Sequence, residues 1–238
     1  MLDVFSIGDL RIYRSVYEPV NSNMYVIFSG DEAIIFDPHK SEELTELLNK
    51  QGIQNITILL THEHHDHTSG IYWYQKYFET TIICQEFGAK WMVSSKYLRP
   101  TLLLFIIGER DKVTGDNNLE LFKREYVACN YKADVTFNKE LQMDWHRHQL
   151  MFYHIPGHSK GSSLIVVDNQ YAFTGDSLLK DIPIITRFPD SSYKDYLTKA
   201  LPTIQRILRE DMTIFPGHDN PFLYKELLNN NILNVRFR

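Results

Sequence analysis

Apolar residues in this chain fall into short blocks bounded by turn formers. The blocks at 4–7, 24–28 and 33–36 are rich in branched and aromatic residues, and Ser29-Gly30-Asp31 separates the last two, so all three predict strands. Ser41 stands where a helix cap belongs. Leu44, Leu47 and Leu48 share one helical face and Gly52 follows, which predicts a helix from 41 to 50. Residues 56–60 form an apolar run rich in branched side chains, the pattern of a strand covered on both faces. A helix at 71–78 and a strand at 81–84 come next. Further on, strands are predicted at 150–154, 163–167, 171–174 and 213–215, with a helix at 193–209. The stretch 87–135 has no clear period, and no regular structure is predicted there. Sheets flanked by helices follow from this alternation.

Composition narrows the class without deciding it. With 238 residues, of which 43% are hydrophobic and 23% charged, the chain can bury a sizeable core, and a single domain over 1–238 is expected. A net charge of -5 argues against a surface built to hold a phosphate backbone, so no nucleic-acid partner is expected. Cys84 and Cys129 form neither a disulfide framework nor a CxxC pair, which suggests a reducing, cytoplasmic setting. The first residues lack the layout of a signal peptide, and the longest apolar run, 102–107, is too short to span a bilayer, so no membrane association is expected.

The chemistry concentrates at strand ends. Directly after the 56–60 strand stands Thr61-His62-Glu63-His64-His65-Asp66-His67, in which His62, His64, Asp66 and His67 offer neutral imidazole or carboxylate donors to a borderline metal ion. Three later strands close in the same manner: Pro156-Gly157-His158, Thr174-Gly175-Asp176 and Pro216-Gly217-His218. Each puts a glycine, which lets the backbone turn sharply, beside a ligand type at a sheet rim. Of the other histidines, His65, His146, His148 and His154 are read as structural or solvent-facing. His39 draws attention because it lies two positions after Asp37.

These motifs, in this order, resemble the metallo-β-lactamase superfamily: His62, His64, Asp66 and His67 match its HxHxDH signature, and His158, Asp176 and His218 its later ligands. The resemblance implies a four-layer αβ/βα sandwich of the α/β class. It implies two metal ions, zinc by preference with iron or manganese as alternatives. His62, His64 and His158 would hold the first, Asp66, His67 and His218 the second, and Asp176 would bridge them, with Asp37 supporting the ligands from behind. Two cations roughly 3.5–4 Å apart repel one another, and the carboxylates offset that repulsion. Asp66 and Asp176 are the candidate catalytic carboxylates, and a metal-bound hydroxide would attack the substrate.

The Gly-Asp-Ser-Leu-Leu, Pro-Gly-His-Ser-Lys-Gly-Ser and Phe-Pro-Gly-His runs are most similar to glyoxalase II-like hydrolases. The lysine and tyrosine that contact glutathione in that branch have no match at 179–188. The implied function is therefore hydrolysis of an ester, thioester or related acyl bond in a small molecule. A mononuclear iron enzyme similar to persulfide dioxygenases and a lactonase are the alternatives. Lys160 and Arg187 are candidate anchors for an anionic substrate group. The apolar residues of the inserted segment 87–135 suggest a lid or wall over the metal groove or a homodimer contact, with an elaborated core-packing insert as the alternative.

Overall fold

In the computed structural model, which describes residues 2–7 and 10–228, the strands and helices sort into two units. The first comprises Met1–Leu59, His64–Ile83 and Ala89–Asp134. Its sheet runs in the order β1 (Asp3–Ile7), β2 (Leu10–Tyr17), β3 (Ser22–Ser29), β4 (Glu32–Phe36), β5 (Asn55–Leu59) and β6 (Glu79–Gln85). The first four strands are antiparallel, whereas β4, β5 and β6 are parallel. Ala33, Ile34, Ile35 and Phe36 of β4, with Ile58 and Leu59 of β5, are wholly buried. Parallel strands covered on both faces have little side to give to water, which is why these two read as mainly apolar runs.

Helix α1 (Glu42–Lys50) joins β4 to β5, and the Ser41 hydroxyl caps it by accepting the Leu44 N–H at 3.2 Å. Leu44 and Leu48 point into the core. Helix α2 (Ile71–Gln75) is shorter than the predicted 71–78. Gly70, just ahead of it, donates its N–H to the Pro38 carbonyl at 2.8 Å, and a Cβ there would lie 2.5 Å from the His39 carbonyl carbon. The loop leaving β4 therefore rests directly on the backbone at position 70. His39 in that loop is buried, its Nε2 2.9 Å from Ser15 Oγ and its ring against Tyr17. Burial, and then the neighbouring His67, push its pKa down to about 3.

The middle of the chain is helical, contrary to expectation: α3 (Glu86–Met92), α4 (Thr101–Thr114) and α5 (Asn118–Glu125). Helix α4 buries Leu103 and Ile107 yet also exposes Leu102, Phe105 and Ile106, so its apolar residues cover all faces and no 3.6-residue period shows. Gly115 ends it in the left-handed conformation (φ 77°), and the Asp111 carboxylate accepts the Leu119 N–H of α5 at 2.7 Å.

The second unit comprises Leu60–Glu63, Cys84–Gly88 and Val135–Arg238. It holds β7 (Val135–Phe137) and a sheet in the order β13 (Phe222–Leu223), β12 (Thr213–Pro216), β11 (Tyr171–Gly175), β10 (Ser163–Val167), β9 (His148–His154) and β8 (Glu140–Trp145). Neighbours are antiparallel except β11 and β12. Leu164, Val166, Ala172 and Ile214 pack under Tyr196, Ala200 and Ile204. The predicted helix at 193–209 is three pieces: α6 (Tyr193–Asp195), a π-turn at Tyr196–Ala200, and α7 (Leu201–Ile207). Pro202 has no N–H to close a regular turn onto residue 198, and the wider turn accommodates it. Helix α8 (Tyr224–Leu228) follows β13.

Four consequences can be measured by urea denaturation. Ser41→Ala is expected to cost about 1 kcal/mol through loss of the cap, and Leu48→Ala about 2–5 kcal/mol through a buried cavity. Gly70→Ala is expected to cost about 2 kcal/mol or more, because the atoms it meets are backbone. His39 stays neutral in the fold but takes a proton in the unfolded chain below its ordinary pKa of about 6.5. Its contribution to stability is therefore lost as pH falls from there towards 3, by up to about 1.4 kcal/mol per pH unit. In metal-free protein, His39→Gln should flatten that slope between pH 6.5 and 5.

Candidate metal centre

The donors of the first unit stand at the ends of β4 and β5. Asp37 follows β4 in the left-handed region (φ 52°), which an aspartate tolerates, and its N–H reaches the Leu59 carbonyl at 3.1 Å. Past β5, a single 3₁₀ turn, His65–His67, begins after His64. The turn is pinned by the His64 carbonyl, which accepts the His67 N–H (3.1 Å) and the Thr68 hydroxyl (2.9 Å).

His67 is fully buried, with Nδ1 3.1 Å from Asp37 Oδ2 and Nε2 3.4 Å from Asp66 Oδ2. With the Nδ1 proton given to Asp37, the Nε2 lone pair faces the second carboxylate. Two electron-rich atoms at that distance repel one another unless a proton or a cation lies between them.

The second unit repeats the device. His158 sits just past β9, and its Nδ1 is 3.0 Å from the Ile185 carbonyl, which can only accept. The proton is therefore on Nδ1, and Nε2 turns its lone pair to Asp176 Oδ2 at 3.4 Å. His218, after β12, brings its Nε2 to the same oxygen at 3.3 Å. His62 meets His158 edge to face (centroids 4.9 Å apart), a ligand nitrogen of each lies within 4.8 Å of the other's, and its Nδ1 is 3.1 Å from Thr61 Oγ1.

Gly175 allows this packing. Its φ is +50°, and a Cβ there would sit 2.3 Å from Thr61 Oγ1 and 3.2 Å from His62 Nδ1. The Gly217 N–H to Gly175 carbonyl bond, 2.8 Å, holds the His218 loop beside the Asp176 loop.

Glu63, which has no ligand position in the sequence scheme, is buried among Ser159 and Gly161, and burial holds its carboxyl above the usual carboxylate range. The remaining histidines have structural partners. His65 stacks on Tyr97 with Nε2 2.7 Å from that residue's carbonyl; His148 pairs with Asp168 at 2.6 Å; His154 meets the Lys160 carbonyl at 2.8 Å. Lys160 is engaged with Asp190 at 3.1 Å, while Arg187 is exposed.

The parts played by Ile185, Thr61 and Ser159 leave no mark in the sequence. Ile185 acts through a backbone carbonyl, which has no side-chain signature. The two hydroxyl residues flank ligands and differ in no visible way from ordinary turn residues.

The model of the "Metallo-beta-lactamase superfamily" matches residues 17–218. Over 220 residues the chain is 23% identical to a "Probable metallo-hydrolase" of Streptococcus pyogenes serotype M6, covering 88% of this chain and 84% of that protein. It is 26% identical to the hydroxyacylglutathione hydrolase GloC of Haemophilus influenzae over 211 residues, 80% of this chain and 87% of the relative. Among solved structures, TTHA1623 in a di-iron-bound form superposes with a TM-score of 0.64 at 19% identity, over 88% of this chain and 93% of that one, a likeness of fold. With its ligand-bearing strand ends inside the matched span, the chain belongs to the metallo-beta-lactamase superfamily.

Proposed function

We propose that the chain is a binuclear metal-dependent hydrolase acting on an ester, thioester or related acyl bond of a small molecule. The observation that carries this reading is Asp176 Oδ2, which faces Nε2 of both His158 and His218 at 3.4 and 3.3 Å. A carboxylate between two imidazoles is what a bridging ligand requires. The donors are nitrogen and carboxylate oxygen throughout, a set that suits zinc, iron or manganese. By the family's pattern His62, His64 and His158 would hold one cation and Asp66, His67 and His218 the other. Bound cations supply Lewis acidity and lower the pKa of a water to about 7.

The chain's own residues prepare that chemistry. Asp37 and the Ile185 carbonyl each hold an Nδ1 proton, so that His67 and His158 present their other nitrogen. Lys160 is held by Asp190, which leaves Arg187 as the freer anchor for an anionic substrate group. The likeness to the Haemophilus hydroxyacylglutathione hydrolase supports an acyl thioester as the first substrate class to test. The di-iron form of the structural neighbour keeps iron beside zinc as a candidate. Among the described residues no helix is long and apolar enough to cross a membrane. The buried free thiol of Cys84 fits the cytoplasmic setting proposed from the sequence.

Elemental analysis of protein purified without added metal should give close to two ions per chain; about one iron per chain would favour the oxidoreductase alternative instead. Asp176→Ala should abolish turnover across a panel of thioesters, esters and lactones and reduce metal content, and full activity in that variant would contradict the bridging role. Asp37→Ala should weaken metal binding by about 10–100-fold, measured by chelator competition. His65→Ala, whose ring contacts Tyr97, should keep both metals.

A further inference from the structure

Glu63 lies between two histidines of the signature and is 4% exposed. Both of its carboxylate oxygens accept hydrogen bonds from the loop that carries His158: Oε2 from the Ser159 hydroxyl at 2.9 Å and Oε1 from the Gly161 N–H at 3.3 Å. Ser159 Oγ lies 2.9 Å from Ser162 Oγ, which in turn accepts the Ser159 N–H at 3.0 Å. Two further backbone bonds close the loop, Gly157 N–H to the Ser159 carbonyl (3.1 Å) and Ile155 N–H to the Ser162 carbonyl (2.8 Å). Ser163 N–H reaches the Thr61 carbonyl at 2.7 Å. The segment 61–63, with His62, is therefore fastened to the loop 155–163, with His158, inside one unit.

The fit around the carboxylate is close. A Cβ at Gly161 would lie 2.4 Å from Glu63 Oε2 and 2.7 Å from the Gly88 nitrogen, and one at Gly88 would lie 3.4 Å from the same oxygen. Among the described residues no lysine or arginine forms an ion pair with Glu63. A carboxylate this deeply buried with no lysine or arginine paired to it is costly to keep. Packing alone is as well served by an apolar residue, so a positional role explains its presence better.

We infer that Glu63 is a positioning residue that sets the spacing of His62 and His158, and through it the affinity for the cation those two histidines bind. The inference rests on the metal reading above, and its test separates the two.

Metal-free protein would be titrated with zinc against a chromophoric chelator, with His158→Ala and His218→Ala marking which class of site each histidine serves. Glu63→Gln keeps the shape but puts an N–H₂ where one of the two donors now points. It should weaken the class removed by His158→Ala by about 10–100-fold and leave the class removed by His218→Ala within about twofold. Ser159→Ala, which deletes one donor, should weaken the same class by less, and it carries the test if Glu63→Gln does not fold.

Unchanged affinity in both variants would overturn the inference while leaving the metal reading intact. Equal weakening of both classes with a lower Tm of the metal-free protein would also overturn it, since that is the signature of general destabilisation. Fewer than two zinc ions on the wild-type chain would overturn the binuclear reading. The role of Glu63 would then be decided on the remaining ion's affinity, upheld by a fall and overturned by none.

Discussion

A carboxylate oxygen set against an imidazole nitrogen whose ring has already committed its proton elsewhere is a repulsive contact until positive charge comes between them. That condition is met at His67 beside Asp66 in one unit and at His158 beside Asp176 in the other. In each case the committed proton goes to a partner that can only accept, the Asp37 carboxylate or the Ile185 carbonyl. Burial makes the contact sharper, because the low local dielectric strengthens both the repulsion and the attraction that a cation would supply. Much of the surrounding architecture serves to hold those pairs in place against that repulsion.

The holding is done by backbone more than by side chains. Each ligand loop springs from a strand that is largely buried, so its starting point is fixed by the core. Where the backbone must then bend within a residue or two, the chain uses conformations that few residues adopt: Asp37 at φ 52° and Gly175 at φ 50°. Gly70 and Gly157 serve a different purpose, close approach. A Cβ at Gly157 would meet Tyr196 Cβ at 2.6 Å, where the π-turn of the long helical stretch presses on the His158 loop. The bulge in that helix and the ligand loop are thus two sides of one packing contact.

The candidate site was largely legible in the sequence, because an apolar run followed by glycine and a ligand is a local pattern repeated along the chain. The core strands β4, β5, β10 and β11 were legible for the same reason. Strand β2 was not, since Arg11, Arg14 and Ser15 dilute its inward Leu10 and Ile12. Strand β8 hides in the same way behind Glu140, Gln142 and Asp144. Helix α4 escaped for the opposite reason: its first six residues after Thr101 are apolar on every face, and periodicity is silent when there is no polar side to contrast. The partners that fix imidazole protons were the least visible part. Ile185 contributes only a carbonyl, and Glu63 meets Ser159 and Gly161 across nearly a hundred residues.

The close approach of Gly161 to Glu63 also constrains how this chain can drift in evolution. Position 161 tolerates no side chain while a glutamate reaches to within 2.4 Å of where its Cβ would stand. A shorter residue at 63 would strand the Ser159 hydroxyl and the Gly161 N–H, and the Gly88 nitrogen would still stand 2.7 Å from a Cβ at 161. The glycine is therefore required by the backbone at 88 as well as by the glutamate, and position 63 is free to change only where another acceptor reaches those two donors. Lineages that abandon the carboxylate should keep the glycine and change Ser159 instead, leaving a paired footprint at 63 and 159, positions that sequence order places far apart.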